Sequence, residues 1–514
     1  MPKKSDKKEE EMHSSLRILA KTSFIVLIGL FISKLFTYIY RIIVARFFGP
    51  EVYGIFSLAA MILALFVAIS SLGLIDGILR YVSLYRAKKE NEKIKYILRF
   101  SLITLLISGI ASGVILFLLS ESLSLSVFHN PAMQIYLKTF SFLIPIFILA
   151  NAFLHILRAY EKVNYYSFLQ NILQNILKVI FLLAFIFVGL NSNSSVIFSF
   201  FIAIFIMMLF AYILSRQLIP NIFEKVVLTK KQKSEIKKDL FNYSWPLIFL
   251  GVIGNLYYWT DSFLLGYFKS AIEVGIYNAA VPIAALLLAS QEIFMQLFYP
   301  LITKEYSIKN FRLIGELSKQ VSKWMFIINL PLFLIMLIFP GVLINFLFGK
   351  EYLLASNALR ILSLGVFISS ISGISIAILN TAGKSKLMLT NIAFFSILNV
   401  ILNILLIPNY GLNGAAIATT ISVILSGLVF IFWAYKYFSI IPLRRKMLGI
   451  VFISLITFTP LLILKKIITI TFVNLAFIGI IFLIIYLALI YITGCFDKND
   501  MAIMNSIKEK IIKK

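Results

Sequence analysis

The chain has 514 residues, 61% of them hydrophobic, with a mean hydropathy of +0.96 and a formal net charge of +26. Soluble chains are about half apolar or less, and several runs here exceed the roughly 18 apolar residues that mark a membrane helix, so soluble multi-domain classes are excluded and an all-α polytopic membrane protein is expected. The excess of Lys and Arg sits between apolar runs, as in membrane proteins generally. With no basic recognition motif it gives no ground for a nucleic-acid partner. The single Cys495 and the scattered His13, His129 and His155 give none for a disulfide or a metal.

In chain order, residues 1–17 read as a retained cytoplasmic tail. The apolar run after it is too long for a signal peptide, and no small-residue cleavage site follows. Fourteen apolar segments come next, at about 18–46, 53–82, 97–119, 135–157, 165–188, 196–215, 241–265, 275–303, 324–348, 355–381, 387–407, 414–435, 447–464 and 471–494. They group into a six-helix lobe (18–216), a basic linker (217–240), a second six-helix lobe (241–436) and two further helices (437–494). A cytoplasmic tail (495–514) closes the chain. The linker is expected to carry an amphipathic piece lying on the membrane surface. With the N-terminus inside, the cytoplasmic segments hold 35 of the 48 Lys and Arg and the exterior loops five. The alternation puts both termini in the cytoplasm. The exterior loops are too short to hold a folded domain.

A shift of 221 residues partly superposes the chain on itself. "ARFFGPEVYGIFSLAAMILALF" aligns with "LGYFKSAIEVGIYNAAVPIAALL", pairing Phe47 with Phe268, Gly54 with Gly275, Ala59 with Ala280 and Tyr85 with Tyr306. The shift spans six helices, so the two lobes share an orientation and form a parallel repeat, an arrangement suited to alternating access around a site near mid-depth. Pro145, Pro246, Pro282 and Pro331, with Gly251 and Gly254, are candidate kink positions.

"ARFFGPEVYGIFSLA" and "TDSFLLGYFKSAIEVGIYNAA", with "LNTAGKSKLMLTNI" and "IPNYGLNGAAIAT" further on, resemble the motifs of prokaryotic oligosaccharide-lipid flippases (Wzx-like). These belong to the multidrug/oligosaccharidyl-lipid/polysaccharide exporter superfamily, with the multidrug-and-toxin (MATE-like) extruders and the lipid II flippases. The resemblance covers nearly the whole chain. It implies twelve plus two helices around a V-shaped cavity, in a bacterial or archaeal plasma membrane. The implied substrate is an isoprenoid-linked oligosaccharide moved from the inner to the outer leaflet. No cofactor is implied; H+ or Na+ coupling is a candidate drive, and glycan-assembly proteins are candidate partners.

Charges inside the spans mark candidate sites, because a charge at mid-bilayer costs at least about 2.5–3.5 kcal/mol and normally faces a partner or a wet cavity. Lys34 and Lys178 fall near mid-depth, and Arg41 shares a face with Lys34. In the repeat Lys34 matches Asn255, Arg41 matches Ser262, and Lys178 matches Asn399. A cavity that is polar all round and basic on one side suits an anionic diphosphate carrying neutral sugars. Asn171, Gln174, Asn175 and Lys178 form one stripe on span five. Cavity lining and interhelical hydrogen bonding are both open roles for its amides. An ion pair of Lys34 with Asp76 is the structural alternative for that lysine. Asp76 and Glu292 are candidates for ion coupling; Asp261 is either a third or a brace at a helix end. Tyr257, Tyr258 and Trp259 are candidate sugar-stacking residues. A multidrug extruder is the second function considered, and a membrane polysaccharide polymerase or ligase the third; the sequence offers no catalytic constellation for the latter.

Overall fold

The computed structural model describes residues 4–190, 193–218, 227–467 and 471–496. The C-terminal tail beyond 496, residues 219–226 of the linker and residues 1–3 of the N-terminal tail lie outside them. Among the described residues there are helices and no strands. In chain order the α-helices are α1 (Lys4–Ser70), α2 (Leu74–Ala87), α3 (Asn91–Ser122), α4 (Met133–Ala159), α5 (Val163–Ser167), α6 (Gln174–Phe187), α7 (Asn193–Leu218) and α8 (Lys230–Phe268). There follow α9 (Ala271–Ala285), α10 (Leu288–Ser307), α11 (Phe311–Ile338), α12 (Pro340–Leu347), α13 (Ala355–Thr381), α14 (Ser385–Phe438), α15 (Lys446–Ile467) and α16 (Phe472–Ile492). A π-helical turn, Phe168–Leu173, joins α5 to α6, so span five is one helix with a local bulge.

Two helices are too long for one crossing. The 54 residues of α14 would run for about 80 Å, against a hydrocarbon core of about 30 Å. Glycines break both. Gly49 in α1 has φ 80° and ψ 175°, and Pro50 starts the next turn, where a missing N–H costs nothing; Gly411 breaks α14 at φ 52° and ψ −133°. By length and composition ten described helices qualify as membrane spans, or eleven if the α9–α10 pair, bent by 42°, counts as one. That count leaves the expected fourteen unconfirmed. Much of the difference comes from the two glycine-broken helices, each of which holds two predicted spans.

Two expectations need correction. Span two does not run unbroken over 53–82. The helix stops at Ser70, and Leu72 and Gly73 take left-handed φ values of 49° and 64° before α2 begins. Asp76 therefore lies in the first turn of a new helix and is exposed. The linker's amphipathic piece is also not a separate surface helix in its described part. Thr229 accepts from the Gln232 backbone in a capping box, and residues from Lys230 onward run continuously into the apolar part of α8.

The chain divides into two compact units, Met1–Asn278 and Ala279–Lys514. In the first, α1 packs on α4, α6 and α8, and α3 on α4. The start of its second span crosses the start of α9 at glycine. A Cβ on Gly54 would lie 1.8 Å from the Ala271 carbonyl oxygen, and one on Gly275 would lie 1.9 Å from that of Pro50. Residues 50 and 54 are repeat mates of 271 and 275, so the crossing is reciprocal. In the second unit, α13 packs on α14 and α11, around a cluster that includes Phe298, Met325 and Ile374. Asn329 of α11 is fully buried. It accepts from Ser290 at 2.9 Å and donates to Ser370 at 3.0 Å, tying three helices with one amide.

Candidate functional site: a polar and cationic face on spans one and five

The face is built where span five lies along α1. Gly29 permits the approach, since a Cβ there would sit 2.5 Å from the Ser167 hydroxyl. Asn175 donates to Ser33 at 3.0 Å and accepts from Thr37 at 3.3 Å, so both ends of its amide engage α1. Asn171 donates to Ser167 at 3.1 Å, and its carbonyl accepts from Asn175. Asn171, Gln174 and Asn175 are all buried. Of the two open roles, the geometry gives Asn171 and Asn175 to contacts within and between helices. In an apolar medium an unpaired amide is costly, so a close-packed pair of helices takes up such groups first.

Lys178, one turn further along the stripe, behaves differently. It is half-buried, and its ammonium sits over the Phe200 ring of α7, 4.6 Å from the centroid. Such a cation–π contact stabilises by roughly 0.5–2 kcal/mol without neutralising the charge. Arg41 of α1 lies within electrostatic reach of Lys178 and hydrogen-bonds Tyr53. Two cations thus lie within electrostatic reach of each other on apolar helices. Lys34, two turns earlier on α1, is half-buried as well.

Asn255 on α8 donates to the Gly251 carbonyl of its own helix. Asn399, expected to line a cavity as the repeat mate of Lys178, is buried in the second unit. It donates to Thr419 at 3.2 Å across the two arms of α14 and accepts from Asn403 at 3.1 Å. Asp261 is buried and accepts from the Tyr277 hydroxyl at 2.5 Å, while Asn278 donates to Ser262 at 3.2 Å. Together these bonds brace α8 against α9, the second role considered for Asp261. Glu292 is exposed on α10, just past the 42° bend. Tyr258 is exposed and packs edge-on to Trp259; the Tyr257 side chain lies outside the described set.

Sequence reasoning missed three contacts. Tyr53 donates to the Asn278 carbonyl at 3.1 Å beside the glycine crossing. Arg80 of α2 stacks on Tyr243 of α8 at 4.2 Å, and Tyr81 donates to the Asp239 carbonyl at 2.9 Å. Only the Tyr-Gly pair, Tyr53-Gly54, was visible beforehand, as part of a motif.

A family model described as a polysaccharide biosynthesis protein matches residues 19–305, more than half of the chain, and one described as MatE matches 246–405. An uncharacterised membrane protein of Methanocaldococcus jannaschii is 27% identical over 52% of this chain and 52% of its own length. A probable low-salt glycan biosynthesis flippase of Haloferax volcanii is 28% identical over 38% of this chain and 41% of its own. The chain thus spans about half the length of these curated relatives. Lipid II flippase MurJ in an inward closed conformation superposes with a TM-score of 0.69 at 19% identity, over 91% of this chain and 99% of that one, a likeness of fold.

Proposed function

Since the chain belongs to the polysaccharide biosynthesis protein family, we propose that it is a flippase. It moves an isoprenoid-phosphate- or diphosphate-linked oligosaccharide from the inner to the outer leaflet of the plasma membrane. No covalent step is involved, and movement proceeds by alternating access. The observation that carries this reading is the pair of cations, Lys178 and Arg41, held within apolar helices and within electrostatic reach of each other. A charge kept there needs a reason, and an anionic headgroup in transit supplies one. A second feature agrees. An apolar groove of about 560 Å³ runs between α11 and α16, lined by Ile328, Pro331 and Leu332 on one side and Leu475, Gly479 and Leu483 on the other, and it suits an isoprenoid chain. The name of the Haloferax relative points the same way.

The match of residues 246–405 to the MatE model favours a second reading, a multidrug extruder. Cationic drugs would be repelled by Lys178 and Arg41, which places this reading second. Proteoliposomes loaded with an isoprenyl-diphosphate oligosaccharide separate the two. An impermeant glycosidase should cut only the outer leaflet in empty vesicles and nearly all headgroups when the protein is present. Movement of ethidium without movement of the headgroup would overturn the flippase reading.

Two further parts of the proposal have their own tests. Asp76 and Glu292, both exposed, are the carboxylates offered for H+ or Na+ coupling. If Asp76→Asn and Glu292→Gln leave gradient-dependent transport intact, neither couples. Both termini are placed inside. In a variant lacking Cys495, cysteines at the exposed Glu121 and Asn409 should react with an impermeant thiol reagent in intact cells. Those at Asn91 and Ser234 should stay silent, and labelling of either breaks the orientation. Ser124 is fully buried and is a poor reporter.

A further inference from the structure

The second unit has a basic pocket that neither the polar face nor the apolar groove uses. It lies where α14 hands over to α15, against the first turns of α11, and has a volume of about 760 Å³. Among the described residues its walls carry Lys319, Arg444, Arg445 and Lys446, with one carboxylate, Glu316.

The backbone that presents these cations is fixed at both ends. After α14 the chain turns at Ser439, in the left-handed region, and Ile440 is buried in the hydrophobic cluster of α10, α11 and α13. Arg444 donates to the buried Gln320 of α11 at 2.7 Å, which sets the direction of its guanidinium. Lys446 donates to the Gly494 carbonyl at 2.8 Å, beyond the end of α16. Glu316 also pairs along its own helix with Arg312, at 3.5 Å. Glu316, Lys319 and Gln320 lie at i, i+3 and i+4, so one face of α11 forms the wall. Exposed Ile441 and Leu443 border the same space, so apolar chains find contact next to the charges.

A concave site with four cations at the end of a membrane helix bundle, edged by aliphatic side chains, matches a ligand with a compact anionic head and apolar tails. We propose that this pocket binds the phosphate-bearing headgroup of an anionic membrane lipid, at a site separate from the transport path. Arg444, oriented by its bond to Gln320, supplies a guanidinium charge suited to phosphate. Lys319 and Arg445, exposed on the rim, supply charge. A lipid seated there would clamp the start of α15 to α11.

The test uses the full chain purified in neutral detergent, with its thermal unfolding midpoint read against added ligand. Phosphatidylglycerol should raise the midpoint with saturation, and phosphatidylcholine should not. Lys319→Gln and Arg445→Gln should each weaken the apparent affinity about tenfold, and the double variant further. Lys319→Arg and Arg445→Lys should retain the response, which separates loss of charge from loss of fold. A rise with phosphatidylglycerol alone assigns a lipid headgroup; a rise with inorganic phosphate as well assigns the phosphate group whatever carries it. An equal response to phosphatidylcholine overturns the proposal. So does a full response in the double variant, or a response lost equally in the charge-retaining variants.

Discussion

Lys178 and Asn399 occupy the same place in the two halves of the repeat, yet they live in different surroundings. Lys178 is half-buried, placed over Phe200 and within reach of a second cation. Asn399 is 4% exposed and makes hydrogen bonds with Thr419 and Asn403. A polar position has been kept in both units while its physical task has changed. In the first unit the amide work of holding two helices together falls to Asn175, one turn away, leaving Lys178 open to another partner. In the second unit the repeat position itself does that work. Internal symmetry of sequence therefore does not carry over into symmetry of site.

The most damaging way to break this comparison is to exchange the charge. Asn399→Lys should place an ammonium among hydrogen-bonded amides with little room to hydrate, at a cost of at least about 2.5–3.5 kcal/mol. The protein should fail to accumulate in the membrane, as read by quantitative blotting and by the unfolding midpoint. Normal accumulation would mean that position 399 has access to water and that the two sites are alike after all.

Next in size is the removal of the charge that is present. Lys178→Ala should cut headgroup flipping by roughly 10- to 100-fold, the worth of one buried charge-assisted contact. Accumulation should stay near normal, because the cation–π contact with Phe200 is lost but no unpaired charge is created. Lys178→Arg should keep part of the activity, since charge is retained and donor geometry is not. Full flipping by a well-expressed Lys178→Ala protein would remove the lysine from the transport path.

How much of this was legible beforehand depends on the range of the interaction. Helical class follows from local runs of apolar residues, and that reading holds, while ten described helices qualify as spans against the fourteen expected. The motif residues Gly54, Gly275, Asp261 and Tyr277 were visible as a pattern, but apart from the bracing role considered for Asp261 their purpose was not. The glycines allow one helix crossing and Asp261 accepts from Tyr277, so much of the motif is packing. The break at Ser71–Gly73 was hidden because Leu72, an apolar residue, adopts a positive φ that apolar patterning cannot foretell. The stripe on span five was found from its spacing alone. Spacing gives a face, however, and not what that face meets. Asn175 and Lys178 share a stripe and separate only once α1 and α7 are in place.

A finer test concerns the amide bonds themselves. Asn175→Ala should leave Ser33 and Thr37 without their partner and cost about 1 kcal/mol. The midpoint should fall modestly while flipping per folded molecule stays within about twofold. A much larger loss of flipping at normal stability would return Asn175 to the transport path.

The smallest expected effect is also the sharpest measure of likeness between the two sites. Thr37 and Thr419 each offer one hydroxyl to an asparagine, Asn175 and Asn399 respectively. Thr→Val keeps the shape and removes the hydroxyl. Interhelical hydrogen bonds of this kind couple by about 0.6 kcal/mol in membranes, with few above about 1.7. The bond that Asn399 donates to Thr419 is the shorter at 3.2 Å, and its asparagine is 4% exposed; the bond that Thr37 donates to Asn175 is 3.3 Å long, at an asparagine 7% exposed. Double-mutant cycles of Thr419→Val with Asn399→Ala, and of Thr37→Val with Asn175→Ala, should therefore give the larger coupling at Asn399. Equal couplings would mean that the first-unit amide is as firmly committed as the second, and that only the charge on Lys178 distinguishes the two halves.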